Sequence, residues 1–463
     1  MTAVASLRSV PTSGASQLLL ERTALLAWNA AEKGDSDVLP WCAEFRILRA
    51  FAEELSQAAW ADDCTRAIET VQAPLSKLTS RNVHLLHPIS FLRFGGAVLA
   101  LADQVEAQRV PATVATAVRW APNRSRGRII LPGSFQRWET ALGDIEGKCA
   151  MVLELDLAAF FPSVRFESFV KLLPEPETLL QEHRRLGILG LPVGGIPARI
   201  LGELLLDAVD RCLIDAGRLH VRRMDDMAIG VGDEKDAAEV IKIVSGATEK
   251  LGLTINKSKT KLRPSKWKVE ELDPVEEGRR LLGQHDPDRV KLVRALRDIR
   301  DLVSAWDGRK RSRWIRLLAD AACRVSVGLS SLLRTVEALL PGSGGLDAHV
   351  QKFQAVLGAP VPLHRAESAR FLSRQRIPVV PDLVRLVVAD PSPLVRREAL
   401  LGLVRLGARD EVRGLLRGDP PGELDHGAWI VAAGVFGIKR DRCPDPYGAL
   451  LYQAAREHLP RDI

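Results

Sequence analysis

The chain has 463 residues, 46% of them hydrophobic and 27% charged, which suits two or three soluble globular domains with sizeable cores. Lys and Arg number 65 against 58 for Asp and Glu, giving +7 and a pI near 9.2, a balance that admits a polyanionic partner without requiring one. Cys42, Cys64, Cys149, Cys212, Cys323 and Cys443 form no CxxC pair, the start MTAVASLRSVPTSGASQLLL lacks a secretory pattern, and no window of about 18 uncharged apolar residues offers a membrane span; free thiols, no zinc ribbon, no membrane association and a cytoplasmic location are the expectations.

Residues 1 to about 80 read as helical: Leu18, Leu19, Leu20, Ala24 and Leu25 fall on one helical face, and 43–60 repeats the pattern. His84 and His87 form an HxxH pair before Pro88, but no third ligand is near, and a structural role is expected. Residues 88–108 read as a buried helix whose Gly95-Gly96 pair is either a close-packing notch or a weak spot. In 114–138 two β-rich pieces flank a turn at 122–127, a basic hairpin. From 151 the texture is α/β. MVLELDLAAFF is an apolar strand running into a helix, and LHVRRMDDMAIGV (219–231) is a hairpin with Asp225-Asp226 at its turn. Asp233 caps the helix that follows, and LTINKSKTKL (253–262) reads as a strand.

After about 285 the chain turns helical and basic. Residues 294–316 read as one helix bearing Trp306 and Trp314, suited either to tracking a phosphate backbone or to presenting a solvated face over buried tryptophans. PGSGG at 341–345 reads as a linker. DPSPLVRREALLGLVRLG (390–407) has a HEAT-like pattern, a unit that needs stacked neighbours to bury its apolar face; PVVPDLVRLVV before it and GAWIVAAGVFG after it supply them.

Three segments carry chemistry together: Asp156-Leu157-Ala158-Ala159-Phe160-Phe161-Pro162-Ser163 at the end of an apolar strand, Gly190-Leu191-Pro192-Val193-Gly194-Gly195-Ile196-Pro197-Ala198-Arg199 opening a helix, and Arg222-Arg223-Met224-Asp225-Asp226. Two-metal phosphoryl transfer needs hard oxygen ligands on rigid elements, and a strand-end carboxylate beside a hairpin carboxylate pair is such a set. Each piece alone is commonly a solvated turn or a loop; their order and strand context make the joint reading.

These segments resemble the A, B and C motifs of reverse transcriptases: Asp-x-x-x-Phe-Phe-x-Ser, Gly-Leu-Pro-x-Gly with a downstream Arg199 and Glu203, and an Asp-Asp hairpin. LGLTINKSKTKL (251–262) resembles the next motif, Leu281-Leu282-Gly283 the primer-grip turn, and 87–106 the upstream fingers region. The likeness covers about 80–285. It implies an α+β fold, a right-hand polymerase fingers and palm followed by an all-α HEAT-like repeat domain. The expected division is an N-terminal helical extension (1–80), fingers and palm (81–285), thumb-like basic helices (286–340) and the repeat domain (341–463). Among subgroups the chain resembles the bacterial unknown-group and abortive-infection reverse transcriptases, which serve in antiphage defence.

The resemblance implies an RNA-directed DNA polymerase using two Mg2+ ions, or Mn2+ in their place. Asp156 and Asp225 are then metal ligands, Asp226 is a ligand or supporting charge, and Leu157 adds its backbone carbonyl. Phe161 is the ring that closes against the sugar 2′ position and favours dNTPs. Arg126 and Arg128 meet the triphosphate, with Arg119 and Arg124 as competitors. Gly194, with Gly195, lets backbone approach nucleotide or template, and Lys259 donates a proton to pyrophosphate. Arg309 and Arg313 contact nucleic acid. Three positions depart from the family pattern: Arg223 stands where an aromatic is usual and is expected to meet a primer phosphate, and Val193 and Ala198 replace polar residues. The subgroup adds protein-primed or untemplated synthesis, for which Tyr447 and Tyr452, the only tyrosines, are the candidate hydroxyls. The partners implied are dNTPs, an RNA template or non-coding RNA and a DNA product, in a monomer or homo-oligomer. The competing reading is a catalytically silent RNA-binding scaffold whose repeat domain recruits a partner.

Overall fold

The computed structural model describes residues 12–33, 42–61, 68–74, 80–123, 128–170, 172–173, 179, 183–184, 187–193, 195–265, 273–284, 287–343, 345–422, 425–438 and 446–456. The chain divides into two units, residues 1–67 with 86–269 and residues 68–85 with 270–463. Its strands are β1 (Ile68–Pro74), β2 (Ser80–Leu86), β3 (Trp120–Asn123), β4 (Arg128–Ile130), β5 (Met151–Leu155), β6 (His220–Arg223), β7 (Asp226–Val231) and β8 (Lys261–Pro264).

The principal sheet of the first unit has the order β6-β7-β5-β8, and all its pairs are antiparallel. Strand β5 lies inside it, and Val152, Leu153 and Leu155 are buried, which is why its sequence is nearly all apolar. Register assigns the faces. Val152, Glu154, Ala228 and Val221 share one face, where Val152, Ala228 and Val221 pack with Ile145, Trp138 and Leu142 of the helix Ser134–Lys148. Leu153, Leu155, Met227, Ile229, His220 and Arg222 share the other, which meets the helix Ile196–Asp215 through Arg222 and His220. Asp233 caps the helix Glu234–Glu249 by accepting from the Asp236 N–H at 2.8 Å, as its sequence position suggested.

The Gly95-Gly96 pair is a notch. A Cβ on Gly95 would lie 2.1 Å from Leu26 Cδ2, and one on Gly96 would lie 1.9 Å from Thr23 Oγ1, so the wholly buried helix Pro88–Ala100 and the helix Thr12–Lys33 meet at a distance that only glycine permits. His87 has the structural role expected of it: its Nδ1 accepts from the Ile89 N–H at 3.2 Å and caps that helix.

Several boundaries differ from the sequence reading. Residues 68–74 and 80–86 are strands rather than helix: β1 and β2 pair with each other, consistent with the β-branched Ile68, Thr70 and Val71 and with Pro74 at the end of β1. Of 253–262 only the end is strand. Ile255 makes a single bridge to Leu157, and a turn centred on Asn256 precedes β8. The single helix expected at 294–316 is two, Arg289–Leu302 and Gly308–Ala322, because Asp307 accepts from the Lys310 N–H at 2.7 Å and starts a new helix. Trp306 and Trp314 are both buried, with ring centroids 5.7 Å apart. Residues 341–343 are no spacer between domains. Arg311 donates to the Pro341 carbonyl, and a Cβ on Gly308 would lie 2.5 Å from the Gly342 carbonyl oxygen. The unit boundary falls near 270 instead. Leu281 and Leu282 are the buried end of the helix Pro274–Leu282 rather than part of a turn between strands.

From 287 onward the described residues hold helices and turns but no strand. The helix Pro393–Arg405 is buried almost all round and packs on Pro362–Arg374, Val380–Ala389 and His426–Val435. Glu398 lies at its centre, accepting two charge-assisted bonds from Arg370 at 3.0 and 2.9 Å. Burial alone would raise its pKa; Arg370, with Arg397 and Arg405, overrides burial and holds it down to about 2. An acid whose folded pKa is depressed adds stability above its unfolded pKa of 4.5 and loses it as pH falls through 2.

Two outcomes are expected. Gly96→Ala forces the two helices apart and destabilises the chain by about 1–3 kcal/mol, read as a lower urea midpoint. The acid loss of stability between pH 4.5 and 2 is smaller in Glu398→Gln than in the parent chain, read by thermal melts across that window.

Candidate active site

The β6–β7 hairpin closes on Arg223 paired with Asp226, leaving Met224 and Asp225 as the turn. Met224 has φ +58°, a left-handed conformation that a side chain adopts only when its surroundings enforce it. Those surroundings centre on Arg222, which is fully buried. It donates to Glu203 at 3.0 and 3.1 Å, to Asp210 at 2.6, 2.9 and 3.0 Å, and to the Met224 carbonyl at 3.0 Å. Its own backbone pairs with residues 114–116: the Arg222 N–H donates to Val114 O at 2.7 Å and the Thr116 N–H to Arg222 O at 2.9 Å. Arg109 also pairs with Glu203, and His220 Nε2 lies 3.3 Å from Asp210. Burial opposes the charge on Asp210, but Arg222 and His220 overcome it and hold its carboxyl below the ordinary range.

Register then brings the carboxylates together. Leu155 is opposite Met227 at the end of the β5–β7 ladder, and Asp156 and Asp226 are the next residues along the two chains. Both lie on the face of Val152 and Ala228, as does Arg223. Asp156 is only 5% exposed. Its Oδ2 accepts from Asn256 Nδ2 at 2.9 Å and its Oδ1 from Lys259 Nζ at 3.0 Å. The protein packed around Asp226, then the charges of Asp225 and Asp156, push its carboxyl up to about 6, against the pull of Lys259 and Arg223. Desolvation would lower the Lys259 pKa; Asp156, Asp226 and Asp225 reverse this and raise it. The bridge of Leu157 to Ile255 is carried by the Ala158 N–H to Thr254 O and the Asn256 N–H to Asp156 O. This pattern turns the Leu157 carbonyl away from Ile255.

The donor set suits a hard divalent cation: Asp156 and Asp225 add their charges to that of Asp226, and the chain continues from Asp156 into Leu157 with its backbone carbonyl. Among the described residues no three acidic, His or Cys side chains close into a ready metal cage; Asp156 is instead neutralised from within by Lys259.

Phe160 and Phe161 follow Ala159, whose φ of +45° turns the chain out of the strand. Phe160 is buried under Gly202, while Phe161 is half-buried with its ring 5.1 Å from Phe160. The 190–193 loop locks onto this turn. The Leu191 N–H donates to Phe161 O at 2.9 Å, and a Cβ on Gly190 would lie 2.3 Å from that oxygen and 2.4 Å from Pro162 O. Gly195, at φ +75°, starts the helix Ile196–Asp215, whose first turn carries Arg199. Desolvation and then the charge of Arg223 lower the Arg199 pKa, while Asp225 opposes them. Arg223 is exposed, with its guanidinium 5.7 Å from the Phe135 ring centroid.

The structure thus gathers Asp156, Leu157, Asp225, Asp226, Lys259 and Arg223 at one end of the sheet. Gly194, Arg124 and Arg126 lie outside the described residues, as does the side chain of Arg128, whose backbone opens β4. Arg119 is buried in ion pairing with Glu106 at 2.6 Å and is taken up by structure. Arg309 and Arg313 are exposed on one helix of the second unit. In that unit Tyr447 is buried, and Tyr452 donates its hydroxyl to Ile438 O at 3.2 Å. Sequence reasoning missed Arg222, Asp210, Asn256 and Phe135. Acids at 203, 207 and 210 in a mostly apolar helix, which need a buried cation, were the available signal.

Residues 121–283 match the family model of reverse transcriptases, RNA-dependent DNA polymerases. No curated protein matches the chain. The matched segment holds all three aspartates, Lys259 and the hairpin. That segment is thus similar to the reverse transcriptase domain, a similarity that supports RNA-directed DNA polymerase activity in general terms. No helix among the described residues is long and apolar enough to cross a membrane.

Removing the buried guanidinium strands two buried carboxylates. Arg222→Met is expected to lose about 3–5 kcal/mol of stability. Adding Glu203→Gln and Asp210→Asn should recover part of it, and denaturant melts of the single and triple variants check both.

Proposed function

We propose that the chain is an RNA-directed DNA polymerase in which Asp156, Asp225 and Asp226, with the Leu157 carbonyl, hold two divalent cations, Mg2+ or Mn2+. What supports this reading is that the charges of Asp225 and Asp156 both act on Asp226 just past the Leu155–Met227 end of the β5–β7 ladder, within the segment that matches the family. When bound, the ions acidify the attacking 3′-hydroxyl and neutralise the leaving pyrophosphate. The residues do the rest. Arg126 and Arg128 orient the triphosphate through paired hydrogen bonds. Gly194 leaves room for backbone to approach the nucleotide. The half-buried Phe161 ring excludes a 2′-hydroxyl. Lys259 returns a proton to pyrophosphate. Arg223, braced on Phe135, meets a phosphate of the primer strand where relatives present an aromatic.

Arg309 and Arg313, exposed one helical turn apart, extend a salt-sensitive contact to nucleic acid. The helices from Pro362 to Val435 form a HEAT-like array. A cytoplasmic antiphage role rests on the resemblance to the unknown-group and abortive-infection enzymes. Should synthesis start on protein, Tyr452 is the better candidate, since Tyr447 is buried; its hydroxyl must first leave Ile438 O.

The test is nucleotide incorporation by purified protein with bound RNA, offering each dNTP and NTP separately. Asp225→Ala and Asp226→Ala are expected to lose roughly 10³-fold in rate, about 4 kcal/mol of transition-state stabilisation, and Phe161→Ala to accept NTPs. RNA binding with no incorporation on any template would move the assignment to a silent scaffold.

A further inference from the structure

We propose that Lys259 has a second role, as the internal counter-cation of Asp156, so that a divalent ion binds by displacing its ammonium. The inference rests on the polymerase reading in one respect: it takes Asp156 as a metal ligand. Both oxygens of that carboxylate are engaged, Oδ2 by Asn256 and Oδ1 by Lys259. A carboxylate buried beside two others needs compensation, and Lys259 supplies it.

The two contacts differ in how easily they break. The Lys259 side chain is 63% exposed and reaches Asp156 from solvent, so it can withdraw without disturbing the core. Asn256 is built in. Its N–H donates to Asp156 O at 2.7 Å, its carbonyl accepts from the N–H groups of Lys259 and Thr260 at 3.1 Å, and its Oδ1 accepts from Ser258 Oγ at 2.8 Å. Asn256 is therefore a positioning residue. It keeps one oxygen of Asp156 oriented while Lys259 leaves the other, and it fixes the turn on which the released ammonium remains tethered. An arriving divalent ion thus frees Lys259 at the moment that a departing phosphate needs a cation and a proton donor. A divalent ion on Asp156 Oδ1 would occupy the oxygen that holds the ammonium, so metal binding would precede the proton transfer from Lys259.

The experiment is a calorimetric Mn2+ titration of the full chain without nucleotide or nucleic acid, comparing parent, Lys259→Met, Lys259→Arg and Asp156→Asn. Lys259→Met is expected to bind Mn2+ about three- to fivefold tighter, the size of a partly exposed ion pair, while incorporating nucleotide more slowly. Lys259→Arg, which keeps the competing charge, should not tighten. A residue acting only as proton donor would leave Mn2+ affinity unchanged, and one acting only in structure would weaken it; either result in Lys259→Met, with an unaltered melting midpoint, overturns the proposal. If Asp156→Asn binds Mn2+ as the parent does, Asp156 is no metal ligand and the reading beneath the proposal fails instead.

Discussion

A guanidinium taken wholly out of water has to be surrounded by acceptors, and the acceptors that surround Arg222 come from three parts of the first unit. Glu203 and Asp210 belong to one helix, Met224 O to the hairpin turn, and Arg222's own backbone pairs with residues 114–116. With Arg109 the cluster holds two cations and two anions, so the interior is close to neutral without water. The strain of Met224 is tolerable because its carbonyl is held on Arg222. The position of Asp225 and Asp226 is thus fixed from beneath by electrostatics rather than by loop packing.

The end of the sheet that carries Asp156, Asp225 and Asp226 has the opposite character. There the negative charges are gathered on one face and only partly answered, by Lys259, Asn256 and the nearby Arg223. One side of the sheet is compensated for stability and the other left charged, which is what a site for cations and phosphates requires. The described part of the second unit from 287 onward is built differently, of helices around pairs such as Glu398 with Arg370 and Asp425 with Arg396.

The carboxylates were legible in the sequence because strand alternation and a two-residue turn leave few ways to place them. The same period-2 logic found the hairpin and β5. What stayed hidden was long-range. Nothing local marks Arg222 as buried or pairs it with Asp210, because in His220-Val221-Arg222-Arg223 two adjacent arginines look alike, although one points to acid and the other to water. The helix break at Asp307 was missed because one capping bond outweighed a continuous amphipathic pattern. The strands at 68–86 were missed because helical periodicity upstream was extended past Pro74. Asn256 was read as one residue of a strand, and only its bonds to Asp156 reveal it as a turn centre.

Gly190 carries a consequence for inheritance. The carbonyls of Phe161 and Pro162 occupy the space any side chain would need there, so the loop that precedes the helix Ile196–Asp215 and the turn that bears the half-buried ring are one rigid part. Lineages of this chain cannot drift in the loop at 190 while keeping the ring where it is. The place of the ring and whatever the loop contacts are bound to change together or not at all, and variation has to enter through the ring's own size rather than through the backbone that carries it.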